Sequence, residues 1–127
     1  MKKQLSFIFP LTNFLKLANE TKLPIRTAYK LSKLVFVVEA EERFLKQKML
    51  EIFSECAEKN AEGNFIPTSN GKGIKLLPEK EKEYERLISE LYSIEIELPD
   101  ITFKMEEFEK MEITYSELEG ILPFIEE

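Results

Sequence analysis

Histidine and tryptophan are missing from this sequence, and cysteine occurs once, at Cys56. Without histidine the chain lacks the side chain that titrates near neutral pH, the commonest general base and the commonest transition-metal ligand. One cysteine cannot close an intramolecular disulfide, and no run approaches the 18 apolar residues of a membrane-spanning helix. Lys2 and Lys3 before Leu5 to Phe9 imitate the start of an export signal, but Pro10 cuts the apolar run short, so a reducing cytoplasm is the expected location and no membrane is expected as a partner. Gly71 and Gly73 have neither a strand-to-helix setting nor a following GK[ST], which excludes a phosphate loop. No cofactor and no metal site is expected. Carboxylate pairs such as Glu41 with Glu42 or Glu106 with Glu107 read as solvated faces, so the chain is not expected to be an enzyme.

What remains is a chain of 127 residues, 43% hydrophobic and 33% charged, which fits a single domain with a core of its own. Ala28, Leu31, Val35, Val38, Glu42, Leu45, Met49, Ile52 and Cys56 follow in alternating steps of three and four. That spacing predicts one long helix from about Arg26 to Asn60, widened to a core-packing face by Leu34, Phe44 and Phe53. Cys56 falls on this stripe and reads as a small buried hydrophobe. Glu42 is the one charge on it, to be exposed where the cover ends, paired from another segment, or used to set register in an oligomer.

The other elements follow in order. Gln4 to Phe9 alternates and reads as a strand; Pro10 then opens a helix with Leu11, Phe14, Leu15 and Ala18 on its stripe. Thr27 is placed to cap the long helix. Asn70-Gly71, flanked by Phe65-Ile66 and by Ile74 and Leu76, predicts a tight primed hairpin at its tip. Pro78 opens a helix to Tyr92 whose Tyr84, Leu87, Ile88 and Leu91 suit antiparallel packing on the long one. Ile94, Ile96 and Leu98, then Ile101, Phe103 and Met105, alternate as strands for the N-terminal strand to pair with, and Thr114 with Glu117 forms a capping box. The fold class is therefore α+β: a long helix packed antiparallel on a second, a tip β-hairpin, and a small sheet from N- and C-terminal strands.

Charge is unevenly placed. Through Leu34 seven cations stand against Glu20 alone, a net +6, and the rest carries −12; from Ser93 onward eleven acids face only Lys104 and Lys110. Arg26, Lys30 and Lys33 also lie at the positive end of the long helix, where anions and not cations are stabilised, so a phosphate or an acidic side chain could be held there. Either the two charged regions balance each other within the fold, or they form separate patches, Arg26, Lys30 and Lys33 on one and Glu106, Glu107, Glu109 and Glu112 on the other, each for a partner.

The segments LPIRTAYKLSKL leading into a long helix, EKNAEGNFI, IEIELPDITF and YSELEGILPFIEE resemble, in order and spacing over about residues 23–127, a family of small uncharacterised proteins of tailed phages and prophages, chiefly of Gram-positive bacteria. The resemblance implies work inside an infected or lysogenic cell or in a particle. Together these readings favour a non-catalytic interaction protein that modulates a host or phage protein partner through charged surfaces. A virion or assembly component, self-associating through the long helix, is one alternative. The other is a nucleic-acid accessory that uses the basic N-terminal third, with Tyr29 available for stacking.

Overall fold

The computed structural model describes residues 1–71 and 73–126. It is mixed helix and strand: β1 (Lys2–Gln4), α1 (Ile8–Asn19), α2 (Ile25–Cys56), α3 (Glu81–Tyr92), β2 (Glu95–Glu97) and α4 (Tyr115–Leu118), with short 3-10 turns at Leu5–Phe7, Pro78–Lys80, Met105–Phe108 and Leu122–Phe124. The chain divides into two compact units, one of Met1–Glu42 with Glu95–Glu127, the other Arg43–Ile94. Helix α2 runs through both. Among the described residues, no helix is long and apolar enough to cross a membrane.

In the first unit β1 and β2 pair antiparallel, with Lys2 opposite Glu97 and Gln4 opposite Glu95. The Met1 ammonium holds the edge, donating to Glu97 Oε1 (3.0 Å), Asp100 Oδ1 (2.8 Å) and the Leu98 carbonyl (3.0 Å). The strand lies upstream of the one read from sequence over Gln4 to Phe9 and shares only Gln4 with it. Leu5, Ile8, Leu11, Phe14, Leu15 and Ala18 are the buried positions, so steps of three and four already begin at Leu5 and the chain turns helical there. The alternation of Leu5, Phe7 and Phe9 is incidental, and Phe9 is exposed. Pro10 falls in the first turn of α1, where its missing N–H has no intrahelical acceptor to lose.

β2 also ends early. After Pro99 the Ile101 N–H turns back to the Pro99 carbonyl (3.0 Å), a three-residue turn that breaks the strand, so Ile101 to Met105 is not a second one. Phe103 instead forms a single parallel bridge with Ile125, its N–H donating to the Phe124 carbonyl (2.8 Å), and Met105 is exposed. Phe103 packs on Phe108 (5.1 Å between ring centres), which meets the Phe14 ring edge-on (5.3 Å). Thr114 caps α4 as read from sequence: its hydroxyl accepts from the Glu117 N–H, and the Glu117 carboxylate accepts from the Thr114 N–H (2.8 Å). Beyond α4, Gly120 is buried against α1, and any Cβ there would run into the Pro10 carbonyl.

In the second unit the Phe53 ring of α2 stacks on Tyr84 of α3 at 5.6 Å, and Leu45, Cys56, Ala57 and Leu91 are buried. Burial also pushes the Cys56 thiol pKa up, as suits a packed and unreactive cysteine. Between the two helices three short extended passes meet: Ala57 opposite Leu76, Lys59 opposite Phe65, and Pro67 opposite Ile74. Their hydrogen bonds close a ring, Glu58 N–H to the Lys75 carbonyl (2.8 Å), Lys75 N–H to that of Ile66 (2.7 Å), and Ile66 N–H to that of Glu58 (3.2 Å). The turn at Asn70-Gly71 is not the tight primed type. Both primed types need positive φ at the first central residue, here Asn70, and no described non-glycine has it, although Gly71 does (+71°). The loop is wider, spanned by Thr68 N–H to the Gly73 carbonyl and closed inside by Gly71 N–H to that of Thr68 (both 2.9 Å).

Candidate functional site

Helix α2 starts after Leu23-Pro24, and its first intrahelical bond runs from the Ala28 N–H to the Pro24 carbonyl (3.0 Å). Pro24, not Thr27, therefore occupies the capping position. Thr27 is fully buried and forms a stripe with Leu31, Leu34 and Val38, all in the core. At about 100° per residue, this stripe is turned by roughly 50° from the one read through Ala28, Leu31, Val35 and Val38. Ala28 is exposed, Val35 is half-buried, and both line a shallow groove beside α1. Glu42 is half-buried.

The rotation brings Thr27 and Lys30 onto Glu107. The Thr27 hydroxyl donates to Glu107 Oε1 (2.7 Å), and Lys30 Nζ (3.0 Å) and the Lys104 N–H (2.7 Å) donate to Oε2. Lys30 Nζ also donates to the Thr102 carbonyl (2.8 Å) and lies 4.6 Å from the centre of the Phe103 ring. Burial is the largest single influence on Glu107 and pushes its pKa up. The Lys104 N–H, the Thr27 hydroxyl and Lys30 together outweigh it and hold the carboxyl below the usual carboxylate range. The acidic side chain that the start of α2 could accept is thus one of the chain's own.

The two patches separated on charge alone are therefore joined at one point. Lys30 and Glu107 pair with each other, their side chains 32% and 20% exposed. Arg26 and Lys33 are exposed and face no carboxylate within ion-pair distance among the described residues; Lys33 Nζ lies over the Tyr29 ring at 4.7 Å. Glu106, Glu109 and Glu112 are exposed and likewise form no ion pair with a described residue.

What reading for charge passed over is the apolar row beside those cations. Ile25 is 87% exposed, Tyr29 64% and Phe36 80%. On a helix these three fall within about 40° of one another, on the side opposite the buried stripe, and Lys33 and Arg26 occupy the next 60° or so. The signal was in the spacing, a second apolar set at i, i+4 and i+11 that the core stripe does not use. Ile25, Arg26, Tyr29 and Lys30 also form one wall of an open cleft of about 770 Å³, completed by Thr102, Lys104, Glu107 and Glu126. Among the described residues, no group of three or more carboxylate and thiol side chains gathers as a metal centre would need.

Comparison of the chain with protein-family models, with curated proteins and with solved structures finds no match.

Proposed function

We propose that this chain is a non-catalytic interaction protein of tailed phages or prophages that binds and modulates a protein partner through the outer face of the first turns of α2. The observation that carries this reading is the row of Ile25, Tyr29 and Phe36 in solvent beside Arg26 and Lys33. A folded chain leaves single apolar side chains exposed at random, but two large aliphatic or aromatic side chains at 80% exposure or more and a third aligned with them on one helix face form a docking stripe. Aromatic residues and arginine are also the types that carry binding energy at protein interfaces. The flanking cations set the chemistry of the partner, which presents an acidic surface with apolar positions between its charges. Self-association along this face is the less favourable use, because a two-fold antiparallel pairing centred between Tyr29 and Phe36 places Lys33 beside its own copy. The antiparallel pairing of α3 on α2, supported by the Phe53–Tyr84 stack, belongs to the same reading as scaffold.

A photo-reactive phenylalanine analogue at position 36, compared with the same analogue at Phe65, tests the reading in cells that make the protein. The expected result is one cross-linked protein from position 36 and none from position 65. The identified partner should then bind Phe36→Ser at least about tenfold more weakly than the parent, as loss of a central aromatic anchor does. Equal cross-linking from both positions, or unchanged affinity, contradicts it.

A further inference from the structure

Building on that reading, we infer that the cleft at the head of α2 takes a single carboxylate side chain of the partner, gripped by Arg26 and Lys104, with the neighbouring apolar residue of the partner laid on Ile25 and Tyr29. The charges lining the cleft decide the class of ligand. Three cations, Arg26, Lys30 and Lys104, face two acids, Glu107 and Glu126, which leaves one positive charge over. Lys30 and Glu107 are already matched, and both Glu107 oxygens accept hydrogen bonds from within the fold, so Glu107 does not compete for Arg26. Arg26 and Lys104 are both exposed and neither has an ion-pair partner among the described residues. A guanidinium offers a carboxylate two parallel donors.

Size and charge fit one acid better than a polyanion. The first unit carries nine cations against fifteen acids, which is the whole of the chain's net charge of −6. A nucleic-acid strand brings one negative charge per nucleotide into that field, whereas an acidic side chain brings one, which the cleft's surplus charge answers. The approximately 770 Å³ of open space is enough for two or three side chains, and the apolar wall gives the segment beside the acid something to bury against.

The probe is a short synthetic peptide alternating glutamate and leucine, titrated into the full chain and followed by backbone amide NMR, with the matching glutamine and leucine peptide and oligo(dT) as comparisons. Shifts confined to residues 25–30 and 102–104 are expected with the glutamate peptide and absent with the glutamine one. Arg26→Gln should weaken binding roughly tenfold, the size of one charge-assisted hydrogen-bonding contact, with unchanged melting because the side chain is exposed. Glu126→Gln should strengthen binding by about two- to threefold, as removal of an exposed like charge does. The inference is overturned if the two peptides bind alike, if the glutamate peptide does not bind, if Arg26→Gln binds as the parent does, or if oligo(dT) produces the same shifts at lower concentration. In any of these cases a cross-link from position 36 still stands by itself, so the carboxylate pocket can fail while the docking face survives; loss of the cross-link removes both.

Discussion

Glu107 receives hydrogen bonds from a hydroxyl, an ammonium and a backbone N–H that come from positions 27, 30 and 104. Removing it leaves Thr27 buried without its acceptor and Lys30 without its counter-charge, so Glu107→Ala should cost about 2–3 kcal/mol in chemical unfolding. The pH dependence has a fixed sign. A carboxyl whose pKa is lowered by folding adds stability above its unfolded value, about 4.3, and that stability is lost as pH falls through the folded value. Melting should therefore drop on acidification below about pH 4.5, and Glu107→Gln should flatten the drop; an unchanged acid limb would show that the carboxylate is not held in this way. Gly120 offers a second residue-level test. The atom in the way of a Cβ is the backbone carbonyl of Pro10, which cannot rotate aside as a side chain would. Gly120→Ala should destabilise by about 1–3 kcal/mol, and Gly73→Ala, whose Cβ meets only the Thr68 side chain at 3.6 Å, should be much milder.

Among the elements, those set by local signals were legible in the sequence. The stripe of α1, the length of α2 to within a turn, the proline start before α3 and the Thr114–Glu117 box all depend on residues within one or two turns of each other. The errors came where a distant partner decides. Alternation at 5, 7 and 9 competed with the helical spacing of Leu5, Ile8 and Leu11, and packing of α1 in the core settled it for the helix. Leu31, Leu34, Val38, Leu45 and Cys56 of the α2 stripe are buried as read, but its N-terminal edge differs, because Thr27 counts as polar until Glu107, eighty residues away, satisfies its hydroxyl. For the same reason charge alone leaves open whether Lys30 and Glu107 balance each other within the fold or lie on separate patches, although the conflict of cations with the helix dipole marks the place. Leu34 is fully buried in the observed stripe, whereas Val35 is only half-buried beside it. Leu34→Asp should prevent folding, since an unpaired buried charge costs several kcal/mol against a total of about 5 to 15, and Val35→Asp should leave a folded protein with lowered melting. Equal damage from both would return the stripe to the position read from sequence.

At the scale of the molecule, all the net charge lies in the unit formed by residues 1–42 and 95–127, while residues 43–94 are electrically balanced. Within the charged unit some of the opposition is internal. Met1 with Glu97 and Asp100, Lys2 with Glu95, and Lys30 with Glu107 tie N-terminal cations to C-terminal acids. Arg26 and Lys33 are left outside that balance, beside the exposed apolar row of α2. A surface that contributes little to stability yet concentrates interface-type residues should separate binding from folding when it is changed. The most direct measurement is therefore paired on one protein, the double variant Tyr29→Ser with Phe36→Ser: its melting temperature, and its affinity for the partner identified by cross-linking. Melting within about 3 °C of the parent, as exposed positions allow, together with a loss of affinity of at least about a hundredfold is the predicted result. Parental affinity with unchanged melting would contradict the account, because the exposed face of α2 would then contribute neither to the fold nor to recognition.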